Sequence, residues 1–121
     1  MQVVVGTKRK ADDFFEQAES AALNDKEESH RLYEEAVKGY TSLTRIDAVR
    51  SRPELLANMH LNAAAGYLRL GKDVLACEQA TQCLAAADLG ATDPSVIAQA
   101  YQFRGFAHSH LKNLDEAEAD L

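Results

Sequence analysis

The chain has 121 residues and a hydrophobic fraction of 46%, which suits one domain with a sizeable core. Its hydrophobics include 21 alanines and 14 leucines, with no tryptophan and only 2 prolines, a helix-forming composition that nearly excludes an all-β sandwich or barrel. A net charge of -6 argues against a general nucleic-acid binder and against a basic helix lying on a membrane surface.

The chain opens on Val3-Val4-Val5, far too short an apolar run for a signal peptide. Lys8-Arg9-Lys10 is its only basic cluster. It reads as a solvated approach to the first helix, with a fragment of a nuclear-localisation patch as the alternative. Apolar residues at Ala11, Phe14, Phe15, Ala18, Ala21 and Ala22 predict a helix from about 8 to 24. Asp25-Lys26 breaks it. A second helix is expected over about 27–46, with Leu32, Tyr33, Ala36, Val37, Tyr40 and Leu43 on one face.

Residues 47–52 read as a charged connector. Pro53 suits the first turn of a third helix, with Ser51 the better cap candidate. That helix runs to about Leu70, where Gly71 supplies a left-handed terminator. A fourth helix is expected over about 73–88. Its two cysteines, Cys77 and Cys83, lie about 9 Å apart along the axis, too far for a disulfide, and both read as small buried hydrophobes. Free thiols suggest a reducing compartment, cytoplasmic or nuclear. Asp93 as a cap and Pro94 in the first turn mark the clearest start, for a fifth helix reaching about Leu111. Lys112-Asn113 is expected to be a tight turn, with a sixth helix beginning at Leu114. No stretch approaches the length of apolar chain that a membrane span needs.

Six helices joined by short loops should pair antiparallel, and the pattern repeats. Tyr67-Leu68-Arg69-Leu70-Gly71-Lys72 before Ala76 parallels His108-Ser109-His110-Leu111-Lys112-Asn113 before Ala117. Ala36, Ala76 and Ala117 are spaced by 40 and 41 residues, and Ala64 and Gly105 each stand twelve residues before their alanine. Small residues facing small residues let two helices approach closely, and four such points are expected at Ala36, Ala64, Ala76 and Ala117, with Gly105 as a fifth.

These positions resemble the tetratricopeptide repeat (TPR) family, whose pattern runs W-x2-L-G-x2-Y, A-x3-F, P. The last copy sets Tyr101 in the tryptophan place, Gly105 in the glycine place, Ala117 in the alanine place and Leu121 in the aromatic place. The middle copy matches through Ala64, Tyr67, Ala76 and Ala80, and the first through Tyr33, Ala36 and Tyr40 of its second helix. Spacing exceeds the family's period of about 34 by six or seven residues, with the excess between repeats. The resemblance implies an all-α fold of antiparallel helix-turn-helix repeats, stacked as a right-handed α-solenoid of about six helices. One domain would fill 1–121: a divergent first pair over 8–46, a second over 53–88 and a truncated third over 94–121.

By the same resemblance the concave face binds a peptide or partner helix. The groove residues project as Asn58, Leu61, Asn62, Ala65, Leu68 and Arg69 from one helix, and Gln99, Gln102, Phe103, Phe106, Ser109 and His110 from the other. The expected function is a protein-interaction adaptor that takes a protein or peptide ligand. A cochaperone domain gripping heat-shock chaperone tails is one alternative. Its carboxylate clamp matches at Asn62, but Gln99 and Phe103 stand where a lysine and an arginine belong, and Arg104 is turned about 100° away. In the first repeat only Lys8 or Lys10 with Asp12 approximates the clamp's lysine-asparagine pair. A self-associating helical fragment is the other alternative.

Neither a nucleophile elbow, a P-loop nor a dinucleotide fingerprint is present. His108 and His110, about 200° apart on one helix, cannot share a metal, so no catalytic role, cofactor or metal is expected. The acidic run Asp115, Glu116, Glu118 and Asp120 reads as a solvated face. An array ending at Leu121 would leave Leu114, Ala117 and Leu121 uncovered, which points to a piece of a longer protein or to a homo-oligomer through the last helix.

Overall fold

The computed structural model describes residues 2–90 and 92–119, and of 114–119 the backbone alone. Among the described residues there are six helices and no strand: α1 Gln2–Ala21, α2 Lys26–Leu43, α3 Asp47–Arg50, α4 Pro53–Arg69, α5 Asp73–Ala87 and α6 Pro94–Ala119. The chain is all-helical. Among the described residues no helix is long and apolar enough to cross a membrane.

Helix α2 carries the most regular apolar stripe. Leu32, Tyr33, Ala36, Val37, Tyr40 and Leu43 are all buried. Asp25 caps it: its carboxylate accepts from the Glu28 amide at 3.1 Å, and Glu27 and Glu28 add negative charge where the helix dipole favours it. Packed antiparallel on α2, α1 brings Ala11 against Gly39, Asp12 against Tyr40 and Ala18 against Ser29. A Cβ on Gly39 would lie 2.8 Å from that of Ala11, so this crossing depends on a glycine. Ser29 Oγ donates to the Ala18 carbonyl at 2.8 Å, which satisfies a buried hydroxyl. The Tyr40 hydroxyl donates to Asp12, and the other Asp12 oxygen takes Lys8 Nζ at 2.7 Å.

The six helices are not the six that the sequence predicts. Helix α1 starts at Gln2 because Val4 is buried against the α1–α2 core, and packing outweighs the weak helix propensity of valine. The connector folds into the single turn α3. Its Val49 is fully buried, with Ile46 and Ala48 packed beside it, so three apolar side chains anchor a segment that reads as merely charged. Ser51 closes α3, and Arg52 takes the cap position of α4 without a side-chain bond. The expected turn at Lys112-Asn113 is absent: α6 continues through both residues, which offer neither glycine nor proline to stop it.

Gly71 does end α4, at φ 73°. The Lys72 amide reaches the Tyr67 carbonyl at 2.9 Å and the Gly71 amide that of Leu68 at 3.1 Å, the paired bonds of a Schellman turn. Helix α5 then folds back on α4, with Ala64 on one and Ala76 and Ala80 on the other fully buried. Asp93 caps α6 as expected, its carboxylate accepting from the Ser95 amide at 2.9 Å; that bond lowers the Asp93 pKa. Helix α6 packs antiparallel on α5 and also alongside α4.

One expected close contact changes owner. Gly105 faces open space, and a Cβ there would meet nothing within 4 Å. Gly66 is tight instead, since a Cβ there would collide with Val37 Cγ2 across the α2–α4 crossing. Ala117 and the C-terminal side chains at Leu114 and Leu121 lie outside the described side chains, and so does the acidic run from Asp115 to Asp120. Of the two thiols, Cys83 is buried and its pKa is pushed up to about 11 by burial. Cys77 is only half-buried, a departure from its reading as a core residue.

Candidate functional site

Helices α4 and α6 run side by side and leave a cleft between their later turns. Ala65, Leu68 and Arg69 line it from α4, and Phe103, Phe106 and His110 from α6, around a volume of about 320 Å³. Each set falls at spacings of three, four or seven residues, the spacing of one helix face. All six are among the projected groove residues.

The remaining projected residues are placed elsewhere. Leu61 is 5% exposed, buried with Ala57, Cys83 and Ala100 in the core shared by α4, α5 and α6. The Asn58 amide donates to the Glu54 carbonyl of its own helix at 3.0 Å. Asn62 is half-buried outside the cleft lining. Gln99, Gln102 and Ser109 are exposed on α6, also outside it.

The two phenylalanines differ. Phe103 packs down onto the α4–α5–α6 core, while Phe106, one turn on, is 49% exposed. Among the described side chains of α6, the buried ones are the small Val96, Ala100 and Ala107. The floor of the cleft is therefore apolar and open, and its polar groups stand at the rim.

His110 Nδ1 lies 2.9 Å from Asp73 Oδ1, and the Asp73 side chain is only 10% exposed. Asp73 occupies the first turn of α5, where the dipole favours a carboxylate, so the pair ties α6 to the start of α5. One turn away, His108 Nε2 sits 3.5 Å from Cys77 Sγ. Arg104 turns to α5 as well: its guanidinium reaches Thr81 Oγ1 at 3.5 Å and lies 5.2 Å above the Tyr101 ring. The interhelical partners Asp73, Cys77 and Thr81 escape a reading of the sequence, because the partners lie 23 to 37 residues apart and share no local pattern.

Arg69 serves a second depression on its other side. That hollow, about 340 Å³, is lined by Lys26, Ser29, His30 and Tyr33 of α2 with Ala22. Burial raises the Tyr33 hydroxyl pKa, and the Arg69 charge acts in the opposite direction. Among the described residues no three His, Cys, Asp or Glu side chains come together as a metal site would need. What the arrangement offers is contact: an apolar floor with a guanidinium and an imidazole at its edge.

In comparisons with family models, curated proteins and solved structures, none matches this chain.

Proposed function

We propose that the chain is a TPR-type scaffold, its helix pairs stacked as a right-handed α-solenoid, that holds a peptide or partner helix in the cleft between α4 and α6. The observation that carries this reading is the half-exposed Phe106 over an apolar floor of Ala65, Leu68 and Phe103. Covering the exposed half of the ring is worth about 1–1.5 kcal/mol, enough to make it an anchor. The packing order supports the repeat: each long helix lies on the long helix before it, and α4 also touches α6, the neighbour scheme of stacked hairpins.

A chaperone-tail clamp has weaker support, since Arg104 is engaged by Thr81 and Tyr101 and Lys8 by Asp12. Phe106→Arg tests the main reading. The variant should fold as the wild type does, by circular dichroism, and should release the partners that wild-type protein retains. An unchanged set of retained partners discards the cleft. Sedimentation across a concentration series separates a second reading, in which another copy of the chain fills the cleft. A dimer lost on Phe106→Arg would assign the cleft to self-association.

A further inference from the structure

The cleft and the neighbouring hollow meet at Arg69, and both have linings free of carboxylates on an acidic protein. The sequence holds 19 acidic residues against 13 lysines and arginines. Neither depression has a carboxylate in its lining, whereas Arg69, Lys26, His30 and His110 all contribute to one or both. Acidic side chains do approach. Asp73 is nearly buried and bonded to His110, and Glu34 accepts from or pairs with His30 at 2.8 Å. Glu19 lies near Tyr33 at the hollow's edge. Arg69 is exposed, and among the described residues no carboxylate pairs with it. By contrast, the hollow along α1 is lined by Asp13 and Glu16.

Resting on the reading of the cleft given above, we infer that its occupant is an acidic amphipathic segment. The apolar side chains of that segment lie on Leu68, Phe103 and Phe106, and a flanking carboxylate is held by Arg69 with Lys26 across the hollow. The acid is a side chain and not a chain terminus. The cation stands at the rim, while a terminus pushed into the cleft would meet Leu68 and two phenyl rings. An arginine paired to a carboxylate beside a water-excluding apolar contact gives both affinity and register. The basic rim repels basic segments that the surrounding acidic surface attracts, so selectivity depends on Arg69 itself.

The test uses a display library of random twenty-residue peptides with amidated C termini, panned on the full chain. Enriched peptides should combine apolar residues at helical spacing with a net negative charge. Their binding should fall as salt rises and should be lost on Phe106→Arg. Arg69→Glu should weaken them by about tenfold or more, and Lys26→Glu by less. Both positions are exposed, and thermal melts of the variants should match the wild type. Peptides that need Phe106 but are neutral or basic, or that ignore Arg69→Glu, overturn this inference and leave the cleft standing. Enrichment that survives only with a free C terminus overturns it in favour of terminus binding. Peptides indifferent to Phe106→Arg, or no enrichment at all, overturn the cleft reading itself.

Discussion

Helices α4 and α6 each begin with a proline in the first turn and each carry an apolar face toward α5, yet α4 stops at Gly71 while α6 runs on through Lys112 and Asn113. The two regions differ in what their interiors demand. Helix α4 is enclosed by α2, α3, α5 and α6, so Ala57, Met59, Ala63 and Ala64 are all fully buried. Helix α6 is covered on a narrower stripe and leaves Tyr101 and Phe106 in solvent. Sequence similarity between the two stretches therefore marks a shared face, and the residue after the helix decides whether the chain turns. A left-handed terminator is most favourable for glycine, and the second stretch has Lys112 in the place of Gly71.

The largest test of this contrast is truncation. Met59→Ala should cost about 2–5 kcal/mol in denaturant unfolding, because its enclosed site cannot collapse, whereas Tyr101→Ala should lose about 1 kcal/mol or less. Equal losses would mean that α6 is as enclosed as α4. Next come the glycines, whose alanine variants should move stability in opposite directions. Gly66→Ala drives a methyl into the stiff, β-branched Val37 and should cost about 1–2 kcal/mol net of its helix propensity. Gly105→Ala meets open space inside a helix and should gain about 0.5–1 kcal/mol. Gly71→Ala should cost about 1 kcal/mol, since φ 73° strains any residue with a Cβ.

The smallest effect belongs to His60. His60 is buried between α4 and α5 with Nδ1 donating to Gln79 Oε1 at 2.8 Å. Burial lowers its pKa below the ordinary value of 6.5; the Gln79 bond opposes the shift and Arg50 adds to it. The unfolded chain thus takes up this proton more readily than the folded one. The stability His60 contributes is fully present above pH 6.5 and drains as the pH falls through that value toward the folded pKa. Urea midpoints at pH 7.5 and 5.5 should differ in the wild type, and the difference should shrink in His60→Gln.

Local chemistry was the legible part of the fold. Pro53, Gly71 and Pro94 act as punctuation through their own backbones and Asp93 through its carboxylate, and each stands where the sequence puts it. The stripe of α2 was legible for the same reason, since burial on one face follows from period alone. Partner-dependent features were not. Which glycine is tight depends on what crosses it, and Gly105 matches the repeat pattern better than Gly66 while meeting nothing. The α3 turn exists because Val49 found a pocket. Projection by helical spacing gathered the six cleft residues, but it also drew in Leu61, which faces the same general direction one layer deeper.

The Schellman turn after Arg69 has a bearing on how such a surface changes over generations. Point substitutions at Arg69 or Phe106 touch exposed side chains and leave the core alone, so the lining of the cleft can change one codon at a time. A single-residue insertion or deletion within α4 ahead of Arg69 is another matter. It would swing the guanidinium by about 100° and shift it about 1.5 Å along the axis, off the rim that joins cleft and hollow. Lineages of this chain should therefore tolerate varied chemistry at the cleft while holding the length of α4 constant.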